Sequence, residues 1–379
     1  MIKKGILYIF RKARSPFKAL KIAIKNKLGW LGVPVIIPYN AYGTENKIMV
    51  TGAVIEDKGM AKPEPDHKLW KNILTMVKRY SGDEIAGISL KVNYREKEYI
   101  LKTNEKGLFH TILPRDPSVS EGADDTIKFS LTDSLDDKND GYNDPVTAEC
   151  IPFIVSPESD YLVVSDIDDT ILVSHSTKTL KKLRVMMSKN ALTRSPFEGV
   201  SALYRALNHS NETGERPIFY VSGSEWNLYD LLVDFFKDKQ IPAGPLLLSD
   251  AKLSLLSLFQ SGKKYQNKIE KIQDLFEHYY RHSFILIGDS GQKDPEIYLK
   301  MAEMYPSRVK AIYIRYIGSK KRNKRLERLL EEAREAGTEM IPVRTSTEAA
   351  LHAVEKGFIS ADHIKKISEA KQLEEEQPE

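Results

Sequence analysis

Apolar and polar positions follow two different rhythms along the chain. Up to about residue 155 the period is two. Ile88, Leu90, Val92 and Tyr94 alternate with polar neighbours, and so do Ile127, Phe129 and Leu131, the mark of half-buried strands. Runs near 47–55, 97–102, 107–113 and 146–155 predict further short strands, with a turn at Glu105, Lys106 and Gly107 between two of them. One helix interrupts, because Leu69, Trp70, Ile73, Met76, Val77 and Tyr80 recur at helical spacing within 66–81. The prediction is a small β-sandwich-like domain with a helical insertion. From about residue 158 the apolar runs YLVVSD, IFYVSG, PLLLSD, FILIGDS, VKAIYIR and EMIPV alternate with helical stretches near 197–208, 225–238, 266–280, 295–304 and 320–336. That order predicts βαβ units and an α/β domain whose parallel sheet is covered on both faces.

Length and charge refine this picture. A chain of 379 residues suits two domains. Its single cysteine, Cys150, excludes a disulfide framework and a multi-thiolate metal site, and points to a reducing, cytoplasmic compartment. The formal charge of +4 is unevenly placed: residues 1–44 hold nine Lys/Arg and no acid, so the rest carries 57 − 9 = 48 bases against 53 acids, a net −5. Nucleic-acid binding by the whole molecule is disfavoured, whereas an anionic surface met by the arm is not. Within the arm no secretory signal is evident, and the charge-free stretch 28–44 is too broken by Pro34, Pro38 and glycines to span a bilayer. Phe17, Leu20, Ile24 and Leu28 fall on one helical stripe bordered by Lys18, Lys21 and Lys25. This fits peripheral contact with an anionic membrane, or a basic helix packed on the body. The expected organisation is a basic arm (1–44), the β-rich domain (45–155), the α/β domain (156–360) and an acidic tail (361–379). The acidic loop 133–145 departs from a calcium loop at Lys138 and Thr147 and reads as solvated.

Candidate chemistry gathers where the predicted strands end, the edge at which open parallel sheets bind ligands. LVVSDIDDT places Asp166 at a strand end, Asp168 two residues on, and Thr170 after it. IFYVSGS ends in Ser222, with Gly223 open to a close backbone approach; FILIGDSGQKD ends in Asp289, with Gly288, Gly291 and Asp294 nearby. Carboxylates sharing a site repel unless a cation or proton separates them. Magnesium suits Asp166 and Asp289, with water and a substrate phosphate completing the shell. One of the first two aspartates can attack phosphorus while the other handles protons. Singly, each feature has an ordinary reading: Asp294 before Pro295, for example, makes a good helix cap. Three such endings on consecutive strands point to phosphate chemistry.

DIDDT, YVSGS, a lysine ahead of the third strand and GDSGQKD resemble the four motifs of the haloacid-dehalogenase-like phosphatases. SDIDDTIL, YVSGSEWNLYDLL, GPLLLSD and FILIGDSGQKDPEIY are closer still to the phosphatidate phosphatase catalytic domain of the actin-patch type, over about residues 150–360, and the β-rich half resembles the leading region of its bacterial members. The resemblance implies a haloacid-dehalogenase-like Rossmannoid fold with a minimal cap, and a magnesium-dependent hydrolysis of phosphatidate to diacylglycerol through a phospho-aspartate. It implies Asp166 as nucleophile and Asp168 as general acid. Thr170, Ser222, Gly223 and Lys268 would serve the phosphate, and Asp166, Asp168, Asp289 and Asp294 the metal. The sequence departs from the pattern at Asn267, where the family has His before the motif lysine, which leaves Lys263 and Lys264 as rivals to Lys268. Gly223, Glu225 and Ser249 replace Asn or Ser, Pro and Arg. The segment 171–196 stands where the superfamily carries a mobile flap.

Other lipid and hydrolase chemistries lack their residues. His175 and Lys178 have the wrong spacing for a phospholipase D motif, and Tyr279 sits where a zinc protease needs glutamate between His278 and His282. The alternatives to phosphatidate are another lipid or soluble phosphomonoester, or a non-catalytic membrane-binding scaffold.

Overall fold

The computed structural model describes residues 34–39, 41–56, 84–117, 125–132, 146–167, 170–171, 199–210, 214–249, 261–316 and 320–376. The expected helix at 66–81, the acidic loop at 133–145, the arm helix and most of the flap segment lie outside them. The chain divides into two compact units, residues 1–154 and 155–379.

Among the described residues the first unit holds two sheets. One is built on the long strand β3 (Lys47–Glu56), flanked by β1 (Pro34–Pro38), β2 (Tyr42–Gly43) and β6 (Leu108–Pro114), with β9 (Phe153–Ile154) beyond β2. The other runs β5 (Lys97–Lys102), β4 (Ser89–Tyr94), β7 (Ile127–Leu131) and β8 (Thr147–Cys150), antiparallel throughout. Alternation does what it predicts: Leu90, Val92 and Tyr94 are buried while their neighbours are not. Val50, Val54, Leu90, Val92, Phe109 and Phe129 form one core, with the Phe109 and Phe129 rings 5.6 Å apart across the two sheets. At the predicted turn Gly107 takes φ 68°, and the Asn104 side chain accepts the Lys106 and Leu108 amides.

The expected boundary of the arm at residue 44 needs correction. Pro34–Pro38 pairs with β3 from Pro34↔Glu56 to Pro38↔Gly52, so this stretch belongs to the sheet. Its prolines misled: β1 is an edge strand, where a missing amide is tolerated.

The second unit is built on a six-stranded parallel sheet ordered β14 (Leu246–Ser249), β13 (Ile218–Glu225), β10 (Leu162–Asp166), β15 (Phe284–Asp289), β16 (Val309–Arg315), β17 (Met340–Val343). A two-residue pair, β11 (His209–Ser210) and β12 (Gly214–Glu215), lies outside this sheet. The described helices of this unit are α1 (Val200–Asn208), α2 (Tyr229–Asp238), α3 (Ser261–His278), α4 (Asp294–Met304), α5 (Lys320–Glu335), α6 (Ser346–Glu355) and α7 (Asp362–Glu376). The strands β10 and β15 are buried at every position, as their uninterrupted apolar runs require. In chain order these strands stand 3-2-1-4-5-6: the chain winds outward from β10 to β14, then returns to lay β15 on the other side of β10. The order reverses between β10 and β15, the place where such sheets open a crevice for ligands.

The expected acidic tail is also corrected. Residues 362–376 are helical, with Ile367 buried, and α7 packs on α1 and α6. Ile364 and Ile367, three apart, supply an inward stripe that the surrounding charges obscure. Among the described residues no helix is long and apolar enough to cross a membrane.

Candidate active site

Asp166 ends β10 and Asp289 ends β15, so the strand-order reversal brings them to one edge from either side of the crevice. Both are buried, as are Asp294 at the start of α4 and Lys268 on α3. Lys268 reaches between them, its Nζ donating to Asp166 Oδ1 at 2.6 Å and to Asp294 Oδ1 at 2.5 Å. Burial works to lower the pKa of this ammonium, but the charges and hydrogen bonds of Asp166 and Asp294 outweigh it and hold the group above the ordinary lysine range.

Asp294 does not cap its own helix. It is the first helical residue, and its Oδ2 accepts the backbone amide of Asp289 at 3.2 Å. The carboxylate thus ties the end of β15 to α3. Gly288 makes this approach possible, since a Cβ there would stand 2.6 Å from both the Cβ and the Oδ2 of Asp294 and 2.8 Å from the Tyr298 ring. Asp289 is fixed from its own loop, Oδ1 accepting the amides of Gly291 at 2.6 Å and Gln292 at 2.9 Å.

Carboxylate oxygens of Asp166, Asp289 and Asp294 lie within 4.8 Å of one another. Three carboxylates with one ammonium between them leave a formal charge of −3 + 1 = −2 in a buried place. Hard oxygen donors with an excess of two negative charges fit a divalent cation.

Thr170 is buried with its Oγ1 directed at Asp166 Oδ2, 3.4 Å away. Ser222 stands one residue past the Asp166↔Val221 pairing, so it is beside the end of β10, and its Oγ accepts the Ser224 amide at 2.8 Å. A Cβ added at Gly223 would meet no heavy atom within 4 Å among the described residues, so packing does not impose glycine there. Asp168 lies outside the described residues, and so do the side chains of Lys263 and Lys264.

Supporting residues emerge that no motif marks. The Tyr204 hydroxyl stands 2.6 Å from Ser165 Oγ, which donates to the Asp166 carbonyl at 2.8 Å. With the Ser165 proton spent on that carbonyl, Tyr204 is the donor, and burial raises its pKa and keeps it protonated. Tyr298 donates to the Ile287 carbonyl at 2.9 Å. Arg325 on α5 donates to the Gln292 carbonyl and, at 2.6 Å, to Glu296 Oε2.

Residues 161–316 match the protein family described as "Phosphatidate phosphatase APP1, catalytic domain". Within the second unit, that segment is similar to this family of catalytic domains. Asp166, Lys268, Asp289 and Asp294 all fall inside it. The chain is 28% identical over 191 residues to "Phosphatidate phosphatase APP1" of Saccharomyces cerevisiae, covering 50% of this chain and 32% of that protein. It is also 28% identical over 160 residues to "Uncharacterized protein C29B5.04c" of Schizosaccharomyces pombe, covering 41% of this chain and 25% of that protein. The chain therefore spans about a third or less of the length of these curated relatives. A solved carbohydrate acetylesterase from Xanthomonas citri aligns over 80% of this chain and 75% of its own, at 9% identity and a TM-score of 0.26, too slight a likeness to bear on the fold.

Proposed function

We propose that the protein is a magnesium-dependent phosphatidate phosphatase of haloacid-dehalogenase-like fold, releasing diacylglycerol and phosphate through a phospho-aspartate. The observation that carries this reading is the meeting of Asp166, Asp289, Asp294 and Lys268 at the strand-order reversal of a parallel sheet. The family match supports the choice of substrate class.

Asp166, Asp289 and Asp294, with Asp168 from its motif, would hold magnesium, which when bound draws the phosphate and the nucleophile together and offsets their negative charges. The other roles belong to the chain. An Asp166 carboxylate oxygen attacks phosphorus as the bond to the glycerol oxygen breaks, and Asp168 gives that oxygen its proton. Lys268 keeps Asp166 ionised and oriented, while Thr170, Ser222 and the backbone at Gly223 receive phosphoryl oxygens. Water then attacks the phospho-aspartate, Asp168 takes the water proton, and inorganic phosphate leaves with Asp166 restored. The basic segment before β1 would hold the enzyme at an anionic membrane.

Phosphate release from phosphatidate in mixed micelles, lysophosphatidate, sugar phosphates and p-nitrophenyl phosphate, each with magnesium or EDTA, tests the reading. Magnesium-dependent release strongest on phosphatidate is expected. Release confined to soluble esters would shift the substrate, and no release from any of them would overturn the hydrolase.

A further inference from the structure

The strand β10 is buried at every position, yet its fourth residue is a serine, and Ser165 is 0% exposed. On α1 a second buried hydroxyl, that of Tyr204, stands 2.6 Å from it. Packing asks for neither group. An alanine at 165 would continue the apolar strand, and a phenylalanine at 204 would keep the ring that stacks on Tyr220. Hydroxyls taken out of water cost free energy unless they are bonded, so two of them in an apolar layer need a reason. Each could satisfy the other and stop there. The bonds continue instead, for Ser165 Oγ donates to the carbonyl of Asp166 at 2.8 Å.

That carbonyl marks the point where the chain leaves the sheet, since β10 ends at Asp166. Side chains alternate across a strand. Ser165 therefore faces Tyr204, while the Asp166 carboxylate turns to the other side, where Lys268 of α3 meets it. Tyr204 thus reaches the backbone of Asp166 and not its carboxylate. The next carbonyl, that of Ile167, accepts the Ile171 amide at 3.0 Å, and this turn sets Thr170 Oγ1 3.4 Å from Asp166 Oδ2. Tyr204 is itself braced from behind. Its ring lies 5° from parallel with that of Tyr220, whose edge meets Phe236 at 4.5 Å and whose hydroxyl donates to the Pro242 carbonyl at 2.7 Å.

We propose that Tyr204 is a positioning residue for the reaction: through Ser165 it locks the peptide after Asp166, and so fixes the attack geometry of that carboxylate and the place of Thr170 beside it. The proposal rests on the reading of Asp166 as nucleophile. A displaced nucleophile loses rate rather than affinity, because the other contacts to the substrate are untouched. A shift of about 1 Å can cost about a hundredfold.

The test is a double-mutant cycle in the full chain, with Tyr204→Phe, Ser165→Ala and the two combined. Tyr220→Phe serves as the control, because it removes a buried hydroxyl of the same row of rings that is bonded to the Pro242 carbonyl instead. Turnover of p-nitrophenyl phosphate is measured at saturating magnesium, together with the thermal midpoint. Amide exchange is read by nuclear magnetic resonance on protein with nitrogen-labelled isoleucine and leucine, at Ile171 and at Leu203 of α1. Tyr204→Phe should lower kcat about ten- to a hundredfold, with KM near that of the parent. Ser165→Ala should do the same, and the double variant should be no slower than either, since the two hydroxyls act as one unit. Exchange at Ile171 should quicken in all three, while Leu203 keeps its protection. Tyr220→Phe should lower the midpoint and leave kcat in place. An unchanged kcat in Tyr204→Phe overturns the proposal, as does a rise in KM alone or a pair of losses that multiply in the double variant. A kcat loss matched by Tyr220→Phe overturns it too, because the effect is then a general loosening of the core. If the parent hydrolyses no ester, the phosphatase reading falls by itself. Faster exchange at Ile171 then sustains the anchoring through Ser165, and equal exchange overturns it.

Discussion

Lys268 Nζ stands 2.5 Å from Asp294 Oδ1, joining two buried residues that are 26 positions apart. The same ammonium is 2.6 Å from Asp166 Oδ1, so one side chain separates two carboxylates that would otherwise repel. Lys268→Met removes the only cation in this described cluster and leaves three buried acids to face one another. Breaking a buried pair in this way costs about 3–5 kcal/mol, and the thermal midpoint should fall accordingly. Magnesium should then raise the midpoint of the variant more than that of the parent, since the variant gains more from a cation. Because the lysine pKa is raised, its contribution to stability is complete below the unfolded value and is lost only as pH rises through the folded one. The deficit should therefore be flat across neutral pH. An equal magnesium shift in both proteins would remove Lys268 from the cation-binding cluster.

Arg325 acts on Asp289 through the backbone of a single residue, Gln292. Its guanidinium holds the carbonyl of Gln292, and the amide of Gln292 donates to Asp289 Oδ1 at 2.9 Å. Arg325→Gln frees the Gln292 backbone to move, so the carboxylate keeps the Gly291 amide but loses the fixed placement of the second donor. Such supporting contacts are worth about tenfold or more in metal affinity. Manganese binding followed by electron paramagnetic resonance should weaken by that factor, and the magnesium needed for half-maximal rate should rise with it. The rate at saturating metal should stay near that of the parent. Unchanged manganese affinity would show that the loop holds its shape without α5.

Much of this was legible before the structure, and what was not has physical causes. The strands β10 and β15 announced themselves because burial on both faces demands uninterrupted apolar runs, and the aspartates at their ends came with them. The strand β1 was hidden by Pro34 and Pro38, which exclude a helix or a central strand but not an edge. Helix α6 did carry a signal in Thr345 and Glu348, the spacing of a capping box: Thr345 accepts the Glu348 amide at 3.2 Å, while Glu348 reaches back one residue further, to the Arg344 amide. Arg325 offered none, for it is one cation among several on a charged helix, and its partner lies 33 residues away. Asp294 reads locally as a helix cap, and only the fold turns its carboxylate toward Lys268 and β15.

In the first unit Asp125 is the group whose protonation matters. Its carboxylate accepts from Tyr94 at 2.9 Å, from Arg95 at 2.7 and 3.1 Å, and from Arg115 at 3.1 Å. Burial works to raise its pKa, but these three partners together hold it below the ordinary aspartate range. A depressed carboxyl stabilises the fold above its unfolded pKa and loses that contribution as pH falls through the folded value. Asp125→Asn should destabilise the protein by about 1–3 kcal/mol at neutral pH, and the gap to the parent should shrink below about pH 4. Urea unfolding across pH reads both. A gap that is constant down to strong acid would mean that Asp125 contributes shape rather than charge.

The two aspartates of the first motif should separate by leaving group. Asp166→Asn removes the attacking oxygen, and losing a nucleophile costs several powers of ten on any substrate. Asp168→Asn keeps the nucleophile and removes the proton donor. Phosphatidate expels a glycerol alkoxide that needs that proton, whereas nitrophenolate leaves with little help. The Asp168 variant should therefore lose about a hundredfold or more on phosphatidate and far less on p-nitrophenyl phosphate, in the step that forms the phospho-enzyme. On the nitrophenyl ester that step should release a burst of nitrophenolate, because the following hydrolysis still needs Asp168 to take a proton from water. Rapid-mixing measurements with both esters and both variants resolve the two steps. A burst in the Asp168 variant and none in the Asp166 variant assigns the roles as proposed, and equal losses on both esters without a burst would deny Asp168 the proton.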